Sequence, residues 1–142
     1  MKSLLELTDT YRVILTRRNA SEILVLPNGP GSALPRLEIH RHQRVAEQLT
    51  KKVESAWNVE AYCLLAPVLG TYCRDEDAKC AVMETVRQDE VAPTRTYWIR
   101  RVEAADRVET SELILIRKSF EELDTYAAHK KAGPFARCGW LK

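Results

Sequence analysis

Neither sign of charge dominates this chain: 22 Lys and Arg stand against 20 Asp and Glu, a formal charge of +2. A chain given over to nucleic-acid binding carries a strong basic stripe, so no nucleic-acid partner is expected. Long apolar runs are missing as well. None approaches the roughly 20 residues of a membrane span, and no membrane partner is expected. Glu6 and Asp9 interrupt the first residues, where a secretory leader would be continuously apolar. Four cysteines in 142 residues do not make a disulfide framework. Together these absences predict a cytoplasmic protein. Histidine is scarce at three residues, and no Ser/His/Asp or Cys/His nucleophile arrangement stands out. There is no internal repeat and no low-complexity segment.

What is present is a globular composition, 45% apolar and 30% charged. At 142 residues the chain reads as one domain. A chain of this size hides roughly two-thirds of its unfolded surface. It is organised around residues 34–59. Val45, Leu49, Val53, Ala56 and Trp57 recur at spacings of three and four, so they share one face of a helix over residues 44–57. Arg44, Glu47, Gln48, Lys51, Glu54 and Ser55 occupy the other side. An apolar strand, 22–26, precedes this stretch, and another, 59–65, follows with almost no connection. The unit is strand, loop, helix, strand.

The stretch resembles the signature of the Nudix family, usually written G-x5-E-x7-R-E-U-x-E-E-x-G-U, with U apolar and Pro-Gly commonly in front. Aligned without a gap, Leu34-Pro35 falls on the lead-in, Val53 on the middle apolar position and Val59 on the last. The spacing is kept and the chemistry is changed. Leu37 and Asn58 replace the two glycines, and Gln43 replaces the first glutamate. Lys51-Lys52 takes the place of Arg-Glu, and Ser55-Ala56 the place of Glu-Glu. The resemblance implies an α+β fold of sandwich type: a mixed β-sheet flanked by this central helix and a C-terminal helix. It assigns residues 1–133 to a Nudix-like domain and leaves an apolar tail, 134–142.

In that family the glutamates hold the divalent metal that carries a diphosphate. A hard cation needs several anionic oxygens, and this chain offers none at those positions. The box therefore reads as degenerate. The expectation is a Nudix-like domain that has lost metal-dependent diphosphate hydrolysis, needs no cofactor, and serves as a ligand-binding, regulatory or interaction module. Lys51 and Lys52 are the candidate ligand-binding residues, because a lysine meets phosphate oxygens directly as a point charge. A small phosphorylated compound is the candidate ligand; the plainer reading makes both lysines solvated surface. The alternative is an active Nudix-type pyrophosphohydrolase that binds Mg²⁺ through relocated carboxylates, Glu38, Glu47 and Glu54. Against it, Glu47 and Glu54 stand roughly 10 Å apart along a helix, long for sharing an ion bound at about 2 Å.

The rest of the chain fills in the sheet. Residues 11–17 and 22–26 read as a hairpin around Arg18-Asn19-Ala20-Ser21. Residues 27–32 form the strongest breaker cluster and read as a loop; no Gly-Lys-Ser follows to make it a phosphate cradle. Glu38, His40 and His42 share one face of an extended segment, a partial transition-metal set that would need further ligands. Cys73 and Cys80 flank a charged turn and read as reduced packing residues. Residues 80–86 and 96–103 read as strands, the second with aromatic and arginine residues that suit either packing or a stacked base. Residues 113–116 read as a short buried strand. Ser119 with Glu122 reads as the capping box of a final helix, which stops at the Gly133-Pro134 pair. Phe135, Trp140 and Leu141 in the tail suggest an interface, either of a homodimer or with a fused or partner domain.

Overall fold

The computed structural model describes residues 7–41, 43–67 and 79–132, with side chains up to residue 125. Its centre is β1 (Thr8–Arg17). Along one edge β1 runs parallel to β6 (Lys79–Thr85). Along the other it pairs antiparallel first with β4 (Arg36–His40) and then, at Thr16 and Arg17, with β2 (Glu22–Asn28). The short β3 (Gly31–Ala33) and β7 (Tyr97–Arg100) add to β2, and β5 (Ala61–Leu65) adds to β6. The result is one mixed seven-stranded sheet, in the order β3-β2-β1-β6-β5 with β4 on β1 and β7 on β2.

Alternation along the strands divides the core in two. Val13 and Leu15 of β1, Leu24 of β2, and Ala81 and Met83 of β6 pack with Leu49 and Val53 of α1 (Val45–Trp57). Ile14, Ile23, Cys80 and Val82 point to the opposite face and pack with Ile116 and Phe120 of α3 (Thr110–Ala132). A short turn of 3-10 helix, Arg101–Glu103, and α2 (Ala104–Arg107) lead into α3. Covering both faces explains why residues 13–16 and 80–83 are buried without interruption. Of the expected α1 face, Leu49 and Val53 are buried and Val45 and Trp57 partly so, while Ala56 is exposed. No helix among the described residues is long and apolar enough to cross a membrane.

Three expectations are corrected. Residues 113–116 are helical, not a strand. The buried positions Glu112, Leu115, Ile116, Ser119 and Phe120 fall at helical spacing, and the two polar members hid that stripe. Ser119 is consequently inside α3 and caps nothing. Its hydroxyl donates to the Leu115 carbonyl one turn back, at 2.6 Å. Residues 27–32 are not a loop throughout, because β2 runs to Asn28 and turns at Gly29 (φ +58°) into β3. Gly31 is required there, since a Cβ would lie 2.7 Å from the Arg107 carbonyl oxygen. Cys73 and the apolar tail lie outside the described residues.

One ion pair is sealed between β1 and α3. Arg12 Nε faces Glu112 Oε2 at 3.1 Å, with side chains only 12% and 5% exposed. Neither of these two atoms has an aligned hydrogen bond. The other Glu112 oxygen accepts the Leu34 N–H at 2.9 Å. At the opening of β1, Asp9 meets Lys79 at 3.1 Å and Arg41 at 3.0 Å. Partial burial works to raise its pKa, but Lys79 and then Arg41 outweigh that and hold it below the usual carboxylate value. The depressed pKa means that this contribution is present at neutral pH and is lost as pH falls through the folded value.

Removing one member of a buried pair leaves the other charge uncompensated. Glu112→Gln should therefore lower the unfolding free energy by about 3 kcal/mol in urea titration. Adding Arg12→Met should restore a large part of that loss, and equal losses in the single and double variants would deny the pair this role. On the other face, Leu49→Ala should cost about 2–5 kcal/mol in the same measurement.

Candidate functional site

The C-terminal end of α1 opens on a cavity of about 930 Å³. Its floor is Ala56, Trp57 and Asn58 at the helix end, with Pro35 and Arg36 where the chain enters β4. Leu26 and Pro27 of β2 form one side, and residues 90–96 form the other. The charged residues of the lining are Arg36, Arg95 and Glu90.

Each wall has a local cause. Asn58 ends α1 in the left-handed conformation (φ 55°, ψ 40°), its N–H donating to the Glu54 carbonyl at 2.9 Å. Glycine is the usual residue for that cap, and asparagine is the side chain that tolerates it best. The far end of α1 is clamped to β4. The Gln48 amide accepts the His40 N–H at 2.7 Å and donates to the His40 carbonyl at 2.8 Å. Val13 N–H donates to the Pro35 carbonyl at 2.8 Å, fixing the residue before Arg36.

The 90–96 wall is tethered to the sheet. The Glu90 carbonyl accepts from Arg17 Nη1 and, at 3.0 Å, from Trp98 Nε1. Arg17 also lies over the Trp98 ring, 4.5 Å from its centre. Thr96 closes a turn onto the Pro93 carbonyl through its N–H (3.1 Å) and its hydroxyl (2.6 Å). Arg95 inside that turn has φ 66°. The aromatic residues of β7 are thus engaged internally, Trp98 with Arg17 and Tyr97 with the Ser32 hydroxyl, while Arg100 is exposed and pairs with Glu103.

The structure spreads the sequence candidates rather than gathering them. Lys51 and Lys52 are exposed on α1 and do not line the cavity. Lys51 instead pairs with Glu47 at 3.2 Å. Glu54 is exposed on α1, and Glu38 and His40 are exposed on β4; His42 lies outside the described residues. Among the described residues no three His, Cys, Asp or Glu side chains come together as a metal site. A nucleophile is not at hand in Cys63 either, since burial pushes its thiol up to about 11 and keeps it protonated at neutral pH. Arg36, Glu90 and Arg95 were not singled out from the sequence. Arg36 directly follows the Pro-Gly-like lead-in at Pro35, but nothing local marks residues 90–96 as the wall facing it.

With this geometry in view, comparison with solved structures is decisive for the scaffold. A Nudix-family hydrolase from Clostridium perfringens superposes with a TM-score of 0.57 at 8% identity, over 85% of this chain and 99% of that one. The fold is Nudix-like. The Ap4A hydrolase of C. elegans gives a TM-score of 0.53 at 10% identity, over 85% of this chain and 98% of that one. A protein from Sinorhizobium meliloti 1021 described as an oxidoreductase gives 0.57 at 14% identity, and there this chain spans only 41% of the other's length. No protein-family model matches the chain, and no curated protein does. The end of β4 and the helix α1 with its cap, which carry the signature spacing, therefore sit on a Nudix-like scaffold. Val53 and Val59 are buried at the two apolar positions of the signature, and Asn58 takes the left-handed turn at its final glycine.

That turn supplies a direct check. Asn58→Val should lower stability by about 1–2 kcal/mol, the cost of forcing a branched residue into the left-handed region, while Asn58→Gly should leave the melting temperature unchanged or raise it. Equal melting for both variants would mean that the cap does not constrain the helix end.

Proposed function

We propose that this Nudix-like domain has lost metal-dependent diphosphate hydrolysis and serves as a ligand-binding or regulatory module. The observation that carries the reading is the helix end itself. The residues that α1 and its cap present to the cavity are Ala56, Trp57 and Asn58, and the exposed positions just before them hold Lys51, Lys52, Ser55 and a single carboxylate, Glu54. A Mg²⁺ ion takes carboxylate and water oxygens in near-octahedral geometry, and this donor set does not fit it. The three carboxylates that could replace the missing ones are dispersed. Glu38 is on β4, Glu47 is engaged with Lys51, and Glu54 is exposed beyond it. The cavity nevertheless persists, walled and partly apolar, at a size common for small-molecule sites.

Incubation of the protein with a panel of nucleoside-diphosphate-linked compounds, with Mg²⁺ or Mn²⁺, is expected to release phosphate no faster than buffer. Either metal alone is expected to leave the melting temperature unmoved, because only a species that binds the folded state raises it. Metal-dependent cleavage that disappears in Glu38→Gln, Glu47→Gln or Glu54→Gln would establish the relocated-carboxylate hydrolase instead.

A further inference from the structure

The missing carboxylates leave a charge question that the cavity answers. Where a divalent ion stands between protein and anion, the ion brings the positive charge. A cleft without such an ion can hold an anion only through its own cations. Arg36 and Arg95 are the cations of this lining, and Glu90 is its single carboxylate.

Three observations make them more than surface arginines. First, neither has an ion-pair partner among the described residues; Arg44, Arg87, Arg101 and Arg117 share that condition but do not line this cavity. Second, both are mounted on fixed backbone. Arg36 is the first residue of β4 and follows the buried Pro35, whose carbonyl is bonded to β1. Arg95 is held at φ 66° in a turn closed on both sides by Thr96 and Pro93, on a segment anchored through the Glu90 carbonyl. Third, the lining around them is apolar: Leu26, Pro27, Trp57, Val91 and Ala92. An arginine fork binds phosphate or carboxylate through two parallel hydrogen bonds, and the apolar wall suits a flat body attached to that headgroup.

We infer that this cleft binds an organic oxoanion, a phosphate or carboxylate on an apolar body, through Arg36 and Arg95 directly and without a divalent cation. The inference rests on the proposal that the box holds no metal. It moves the ligand-binding role from Lys51 and Lys52 on the outer face of α1 to the two arginines that line the cavity.

The test is an NMR titration of the full chain in EDTA, following the arginine Nε–Hε and tryptophan indole signals. Phenyl phosphate and benzoate are the two anionic arms, and benzyl alcohol is the neutral arm. At least one anion is expected to shift the Arg36, Arg95 and Trp57 signals, while the alcohol leaves both arginines in place. Arg36→Gln and Arg95→Gln should each weaken that binding about tenfold, as loss of a hydrogen bond to a charged group does. Lys51→Gln and Lys52→Gln should leave it unchanged. Both arginines are exposed, so matching melting curves would confirm that the variants fold. If neither anion shifts the arginines in EDTA or in Mg²⁺, the inference is wrong and the loss of hydrolysis stands untouched. Shifts that appear only with Mg²⁺ would overturn both. Binding lost in the lysine variants and kept in the arginine variants would return the role to the helix face.

Discussion

β1 is bonded along both edges and buried on both faces, and everything else takes its position from it. Its alternate side chains must face two separate apolar layers, so α1 and α3 are forced onto opposite sides of the sheet. A strand in this situation cannot slip by one residue without exchanging its two faces. The register is fixed by packing as well as by hydrogen bonds. The buried Arg12–Glu112 pair adds a directional element, tying the middle of β1 to the first turn of α3 where apolar contact alone would leave rotation free.

The cleft is a consequence of that frame. α1 is clamped to β4 at its start by Gln48 and stopped at its end by Asn58, so its last turn points to a fixed place. Opposite it, the segment after β6 is drawn back onto the sheet by Arg17 and Trp98, which share the Glu90 carbonyl. Two independently anchored walls leave a space between them that side chains of the domain do not fill. Concave sites between rigid elements of this kind are where small ligands bind.

Likeness to Nudix-fold structures at identities of 8–14% concerns the scaffold. Chemistry resides in the side chains that a scaffold presents. Here the end of α1 presents Ala56, Trp57 and Asn58 to the cleft, and Arg36 and Arg95 are the cations of its lining. A guanidinium and a bound divalent ion both attract oxoanions, but they differ in what they can do next. The ion can polarise a bound water into a nucleophile. A guanidinium has only donors and no acceptor with which to take a proton, so it holds an anion without activating water.

By itself the sequence determined the layer plan. The period of residues 45–57 gave α1 and its buried Leu49 and Val53, the apolar runs gave β1, β2, β5 and β6, and the spacing of residues 37–59 pointed to the Nudix-like frame. These are short-range signals, set by side-chain period and backbone preference. Tertiary structure decided what those signals could not reach. Glu112 and Ser119 sit in the buried stripe of α3 because Arg12, Leu34 and Cys80 partner them across the chain, so a pattern of apolar residues alone missed the start of that helix. Arg36 and Arg95 share one cavity though 59 positions separate them in the sequence. Their meeting depends on how two distant anchors place two loops, and no local feature of either stretch encodes that.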